Sequence, residues 1–287
     1  MYLIISIFSL LISFLLSVIK TDYRKILIFV NVLISLIYII WRFTVIPIKH
    51  GLISFILGLS LYSAEVLGLI SFINFQYLFT KNYKLESKSL NDYLPNDIPS
   101  VDVLICTYNE PLNLLKKTIM ASKKLDYPKN KLKIYVCDDG NRVALKNLCK
   151  SYNVNYITRD NNEGAKAGNI NNALNIINGD LFAILDADMI PKKNFLSRTV
   201  GYFVSENTSF VQAPQVYYNQ DMYQYNLNKI LPNEQDFFMR DIEEARAARN
   251  AVLHVGTNAV FRKKYVMDIG GYPTCSITED MAVGMLL

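Results

Sequence analysis

The apolar positions of this chain fall into two regimes. Over the first 80 residues they run almost without interruption, and within Tyr2–Ile19, Ile26–Ile46 and Gly51–Phe79 the only charged residues are Arg42 and Glu65. About 20 residues cross the hydrocarbon of a bilayer, so this pattern predicts three membrane-spanning helices. Beyond residue 100 the apolar runs shorten. Val101–Cys106, Lys133–Cys137, Val154–Thr158 and Leu181–Leu185 are predicted as short buried strands. Between them apolar residues recur at helical spacing, as in Leu112, Leu114, Leu115 and Ile119 after Pro111. This alternation predicts an α/β fold with a largely parallel sheet. Residues 81–100 are polar, include Pro95 and Pro99, and are expected to be an interfacial linker. The expected domains are therefore a membrane segment over 1–80, the linker, and a cytosolic domain over 101–287. Lys229–Asn250, with Phe237, Phe238, Ile242 and Ala245 on one side and dense charge elsewhere, reads as an amphipathic helix, either on the membrane face or plainly solvated.

Charge orients the membrane segment. Lys20, Arg24 and Lys25 flank the first turn, and Lys81, Lys84 and Lys88 follow the third apolar run. The positive-inside bias places both flanks in the cytoplasm and the N-terminus outside. The first run lacks a basic leader and a small-x-small cleavage site, so it is expected to be retained. Glu65 is either functional or simply faces a neighbouring helix, and the second is expected. The net charge of +5 comes without a basic tract or a nucleic-acid motif, which excludes nucleic acid as a partner. Cys106, Cys137, Cys149 and Cys275 have no C-x-x-C spacing and read as reduced thiols in a reducing compartment.

The candidate chemistry gathers at strand ends. In L-F-A-I-L-D-A-D, Asp186 and Asp188 are two residues apart and can aim their carboxylates at one point. Like charges so placed call for a cation, and hard oxygen ligands suit Mg2+ or Mn2+ shared with phosphates. The loop T-Y-N-E-P follows the first strand, where Tyr108 can stack on a nucleobase and Glu110 can accept from ribose hydroxyls. Asp138-Asp139-Gly140 ends the second strand, and a carboxylate there either accepts the imide N–H of uracil or caps a turn. In E-G-A-K-A-G-N-I-N-N-A-L, small residues and Lys166 at a helix start offer a phosphate site without the P-loop or G-x-G-x-x-G pattern. Thr278-Glu279-Asp280 reads as a capped helix start that can also present a base. His254 reads as a core histidine.

Taken together and in order, T-Y-N-E-P, C-D-D-G, A-K-A-G-N-I-N-N-A-L and L-D-A-D resemble the cytosolic catalytic domain of inverting family 2 glycosyltransferases, above all the processive cellulose-synthase-like branch. F-V-Q-A-P-Q-V-Y-Y-N, G-T-N-A-V-F-R-K and G-G-Y-P…T-E-D extend the resemblance over Val101–Leu287. It implies a GT-A fold, a UDP-sugar donor, a divalent metal, a polysaccharide acceptor and a multi-pass protein of the cell membrane. By that resemblance Thr107, Tyr108 and Glu110 line the nucleoside pocket. Asp138 or Asp139, the latter for preference, holds the uracil, and Lys166 meets the ribose or pyrophosphate. Asp186 and Asp188 are the ribose and metal carboxylates, Glu279 faces the substrate, and Asp280 is the general base. A carboxylate can serve as base because the acceptor hydroxyl becomes acidic as the glycosidic bond forms. The branch also carries a Q/R-x-x-R-W motif, but the only tryptophan here is Trp41. The chain is therefore expected to be part of a longer synthase, able to bind nucleotide but not to polymerise. Two alternatives are a non-processive transferase acting on a lipid acceptor and a non-catalytic nucleotide-sugar-binding fragment.

Overall fold

A computed structural model describes residues 2–20, 23–81, 86–227 and 231–287. The chain divides into two units, Met1–Lys84 with Ala245–Arg249, and Leu85–Glu244 with Asn250–Leu287.

In the first unit the three apolar runs form helices α1 (Tyr2–Ile19), α2 (Arg24–Thr44) and α3 (Leu52–Leu78). Helices α2 and α3 are long and apolar enough to cross a membrane. Helix α1, with 18 residues, is about 27 Å long at 1.5 Å per residue, at the short limit for a span. Glu65 of α3 accepts from Arg42 Nε of α2 at 2.8 Å and from the Tyr38 hydroxyl at 3.4 Å, so it does face a neighbouring helix. The Arg249 guanidinium lies 4.0 Å from the centroid of the Tyr77 ring and donates to Thr80 Oγ1 at 2.6 Å.

The second unit is built on a six-stranded sheet, β1 (Val101–Thr107), β2 (Leu132–Asp138), β3 (Asn155–Ile157), β4 (Leu181–Asp186), β5 (Phe210–Gln212) and β6 (Ala259–Arg262), in the order β3-β2-β1-β4-β6-β5. The first four are parallel, as their sequence predicts. Both faces are covered, which is why these strands are near-continuous apolar runs. Val103, Ile105, Val136, Ala183 and Leu185 pack on Leu115 and Ile119 of α4 (Leu112–Lys123) and on Leu145 and Cys149 of α5 (Val143–Tyr152). On the other face Leu104, Tyr135, Phe182 and Ile184 meet Ala167, Ile170 and Leu174 of α6 (Ala165–Leu174). The last two strands, absent from the sequence prediction, run antiparallel: β6 to β4, and β5 to β6. Phe261 stacks on Phe182 at 5.2 Å and on Phe210 at 5.4 Å across these pairs.

Two expected elements differ. The helix expected over Lys229–Asn250 is shorter and irregular, running without interruption over 234–247. Asn233 caps a turn at Glu234–Asp236, a π-helical turn follows over Phe237–Ile242, and an α-helix over Glu243–Ala247 completes it; 228–230 lie outside the described residues. Pro232 cannot donate to a preceding turn, so the capped start falls after it. The expected linker is also partly structured. Ser89 caps a 3-10 turn at Leu90–Asp92, and Leu90, Tyr93 and Ile98 pack on the core of the second unit.

Candidate active site

The chain passes from β1 outward through β2 and β3, then returns to the far side of β1 as β4. Beyond the carboxyl ends of such strands, at the point where the order reverses, an open α/β sheet leaves a crevice. Here Cys106 of β1 lies in register with Asp186 of β4, so T-Y-N-E-P and D-A-D flank that crevice. Strand β6 is antiparallel to β4, so its beginning meets the end of β4, and Asn258 N–H donates to the Ile184 carbonyl at 2.9 Å. The reversal delivers Gly256 and Thr257 to the same place.

On the β4 side the loop is pinned from three directions. Thr257 Oγ1 accepts from Asp186 N–H at 3.0 Å, Thr118 Oγ1 donates to the Ala187 carbonyl at 2.7 Å, and Met189 N–H donates to the Asp186 carbonyl at 3.1 Å. Lys166, in the first turn of α6, is ion-paired with Asp186 Oδ1 and donates to the Gly256 carbonyl at 2.7 Å. Burial works against the lysine's charge, but Asp186 outweighs it and holds the ammonium above its usual range. For Asp186 burial prevails, with the Asp188 charge adding to it, and the carboxyl sits above its usual range despite Lys166. Asp188 itself is exposed.

Gly256, at φ +85°, is the junction of the site: a Cβ there would lie 3.2 Å from Asp280 Oδ2 and 3.8 Å from Lys166 Nζ. The glycine thus leaves open the space between the two. Asp280 enters on the helix Glu279–Leu286, which starts after Thr278 as expected. The Thr278 side chain makes no cap, however; Asp280 Oδ1 accepts from Met281 N–H at 2.7 Å. Glu279 is near enough to favour the Lys166 charge and, with Asp280, to disfavour ionisation of Tyr272, whose hydroxyl burial already pushes up.

At the β1 and β2 tips several expected site residues are engaged with partners in the chain. Asp138 is fully buried, and its carboxylate accepts from Gly140 N–H at 3.1 Å, Arg142 N–H at 2.8 Å, Arg142 Nη2 at 2.9 Å and the Tyr156 hydroxyl at 2.8 Å. So satisfied, it builds the turn. Thr107 is likewise buried; its hydroxyl donates to Glu110 Oε2 at 2.5 Å and accepts from Arg142 Nη2 at 2.7 Å. It shapes the loop from beneath. Glu110 Oε2 also accepts from Tyr108 N–H at 2.8 Å. Burial opposes the Glu110 charge, but these bonds and Arg142 prevail and hold the carboxyl below its usual range. Tyr108 is half exposed. Asp139 is held by both arms of Arg159, at 2.6 and 2.8 Å.

Arg142, Arg159, Gly256 and Thr257 were not singled out by the sequence reading. Gly256 and Thr257 enter it only as the start of G-T-N-A-V-F-R-K, and Arg159, Gly256 and Thr257 act on partners 20, 90 and 71 residues away along the chain, beyond the reach of a local motif. His254 is a core histidine: Nδ1 bonds Gln212 Oε1 at 2.9 Å, and the ring lies edge-on to Phe261 at 4.9 Å. Burial, with Lys166 nearby, holds it neutral, at about 3.

Among the described residues no group of three or more His, Cys, Asp or Glu is arranged to hold a metal. The donor set is the exposed Asp188 with the lysine-paired Asp186. That suits a hard divalent ion that takes most of its oxygens from phosphates and water.

Comparison with known proteins agrees with this architecture. The profile described as "Glycosyl transferase family 2" matches residues 102–270. A cellulose synthase catalytic subunit (UDP-forming) of Pseudomonas fluorescens (strain SBW25) is 34% identical over 264 residues, covering 91% of this chain and 36% of that protein. The same subunit of Xanthomonas axonopodis pv. citri (strain 306) is 35% identical over 259 residues, covering 88% and 35%. The chain thus spans about a third of the length of these relatives. Among solved structures, a mannosyltransferase from Pyrobaculum calidifontis in complex with GDP-Man and Mn2+ superposes with TM-score 0.54 at 20% identity, over 76% of this chain and 59% of that one.

Proposed function

The chain belongs to glycosyltransferase family 2, with a GT-A type fold, and from that premise we propose that it is a membrane-bound inverting transferase. It moves a sugar from a UDP-sugar to a growing β-linked polysaccharide at the cytoplasmic face, as its similarity to cellulose synthase subunits suggests. The observation that carries this reading is the approach of Asp280 and Lys166 across Gly256, with Lys166 paired to Asp186. A base and a cation then lie on the two sides of the position that a sugar's anomeric carbon would take.

The residues divide the work. Tyr108 stacks on the uracil and Asp139 accepts its imide N–H. Glu110 Oε1 takes a ribose hydroxyl. Lys166 sets its charge beside the pyrophosphate. Asp280 removes the acceptor hydroxyl's proton as that oxygen attacks the face opposite the leaving group, which inverts the anomeric configuration. A divalent cation held by Asp188 with Asp186, magnesium or manganese, would neutralise charge on the departing pyrophosphate. The acceptor sugar takes the cleft of about 430 Å³ lined by Gln215, Gln235, Phe238, Met239 and Val255, the last being the chain neighbour of Gly256. Apolar walls with two amides suit a sugar ring, which has apolar faces and a rim of hydroxyls.

Calorimetric titration of UDP into the detergent-solubilised chain tests the donor site. Binding is expected to need Mg2+ or Mn2+ and to weaken at least about tenfold in Asp188→Ala. Metal-independent binding that the substitution leaves intact would reject the assignment.

A further inference from the structure

Arg159 has no part in the steps above, yet it is one of the most fully engaged side chains of the unit. It lies just past β3. Its Nε donates to Asp139 Oδ1 at 2.6 Å and its Nη2 to Asp139 Oδ2 at 2.8 Å. Its other bonds go to backbone: Nη1 to the Glu163 carbonyl at 2.6 Å and Nη2 to the Ala165 carbonyl at 2.7 Å. Both partners are nearly shielded from solvent, the arginine side chain 10% exposed and the aspartate 8%. A two-pronged guanidinium–carboxylate bond fixes the plane of the carboxylate as well as its position. The backbone bonds anchor the arginine to the turn that launches Lys166. A Cβ on Gly168 would overlap both the Glu163 carbonyl and Arg159 Nη1, so the glycine is what lets the guanidinium lie there.

We infer that Arg159 sets the nucleobase selectivity of the donor site by clamping Asp139, so that the pocket takes a base presenting an imide N–H and rejects one presenting a lone pair. The inference rests on the UDP-sugar reading above. A carboxylate has only acceptor lone pairs, and each oxygen keeps one outside the clamp. Uracil offers a ring N–H there. Cytosine offers an acceptor nitrogen with its amino group alongside. A carboxylate free to swing could follow that amino group, whereas one gripped through both oxygens cannot. Arg159 is thus a positioning residue: it acts through Asp139, and through the Glu163–Ala165 turn it keeps the base pocket in register with Lys166.

The test is titration of UDP and of CDP into the solubilised full chain with metal present, for wild type, Arg159→Gln and Arg159→Lys, with the thermal unfolding midpoint of each. Wild type is expected to prefer UDP by at least about a hundredfold, as sites that read an N–H do. In Arg159→Gln that ratio is expected to fall to within about threefold, and in Arg159→Lys, a single-pronged cation, to an intermediate value. A merely structural role would weaken both nucleotides together. An unchanged ratio in Arg159→Gln overturns the inference while leaving the donor site standing. If Arg159→Gln does not fold, Arg159→Lys decides, and an unchanged ratio there overturns it equally. If wild type binds neither nucleotide, the UDP-sugar reading falls and this inference falls with it.

Discussion

Asp280 and His254 are 26 positions apart in the chain and differ in what protonation does to them. Asp280 is half-buried, with its Oδ2 on one side of Gly256 and Lys166 on the other, and is the base in the function proposed above. Asp280→Asn keeps the shape and removes the base. It is expected to lower UDP release from a UDP-sugar in the presence of acceptor by about 10²–10⁴-fold while UDP binds within about threefold of wild type. Equal losses in both would mean that the residue serves binding. His254 is neutral in the folded chain down to about 3, against 6.5 for an unhindered histidine. Below 6.5 the unfolded chain takes up a proton that the folded one refuses. The stability from this residue is therefore full above 6.5 and is lost as pH falls toward 3, by about 2 kcal/mol at pH 5. Thermal unfolding from pH 7 to 5 should show a shallower decline in His254→Gln than in wild type.

Strand direction decides which residues meet. Four parallel strands bring T-Y-N-E-P, C-D-D-G and D-A-D to one edge, and each was readable from its own apolar run. Strand β6 is only Ala259–Arg262, and its three buried residues lie too close to a helix and a turn to show a period. Its antiparallel course nonetheless carries Gly256 and Thr257 to the D-A-D loop. Helix α6 depends on a similar close approach at Gly168. Gly168→Ala must displace the Glu163 carbonyl or the Arg159 guanidinium. Overpacking of this kind costs about 1–3 kcal/mol. A lowered unfolding midpoint together with weaker UDP binding is the expected result, and an unchanged midpoint would show that the turn yields freely.

At the scale of the whole chain, the unit of apolar helices makes its own prediction. The basic flanks at Lys20–Lys25 and beyond Phe79 call for a cytoplasmic first turn and an external turn around Lys49. In intact cells, a membrane-impermeant maleimide should label Lys49→Cys and not Lys25→Cys. The reverse pattern would place the candidate active site on the other side of the membrane and exclude a cytosolic UDP-sugar as donor. The Arg42–Glu65 pair at 2.8 Å joins α2 to α3, where an unpaired charge would be costly in hydrocarbon.

Local patterning carried much of this protein. Short, mostly apolar runs such as Leu181–Leu185 predicted doubly covered strands, and apolar runs of about 20 residues predicted helices of membrane length. The acidic and glycine-rich tips therefore had to share one sheet edge. Tertiary structure alone settled which of those groups remain available. Asp138 and Asp139 are adjacent and chemically identical, yet Arg142, Gly140 and Tyr156 fill the acceptor sites of the first, while Arg159 grips the second and leaves each oxygen a lone pair. Likewise the amphipathic pattern over 229–250 forms its helix only from Glu234, after Pro232, and passes through a π-helical turn. The reason is common to both. Periodicity reports which face a residue takes, but a buried polar group is defined by partners that only the folded chain supplies.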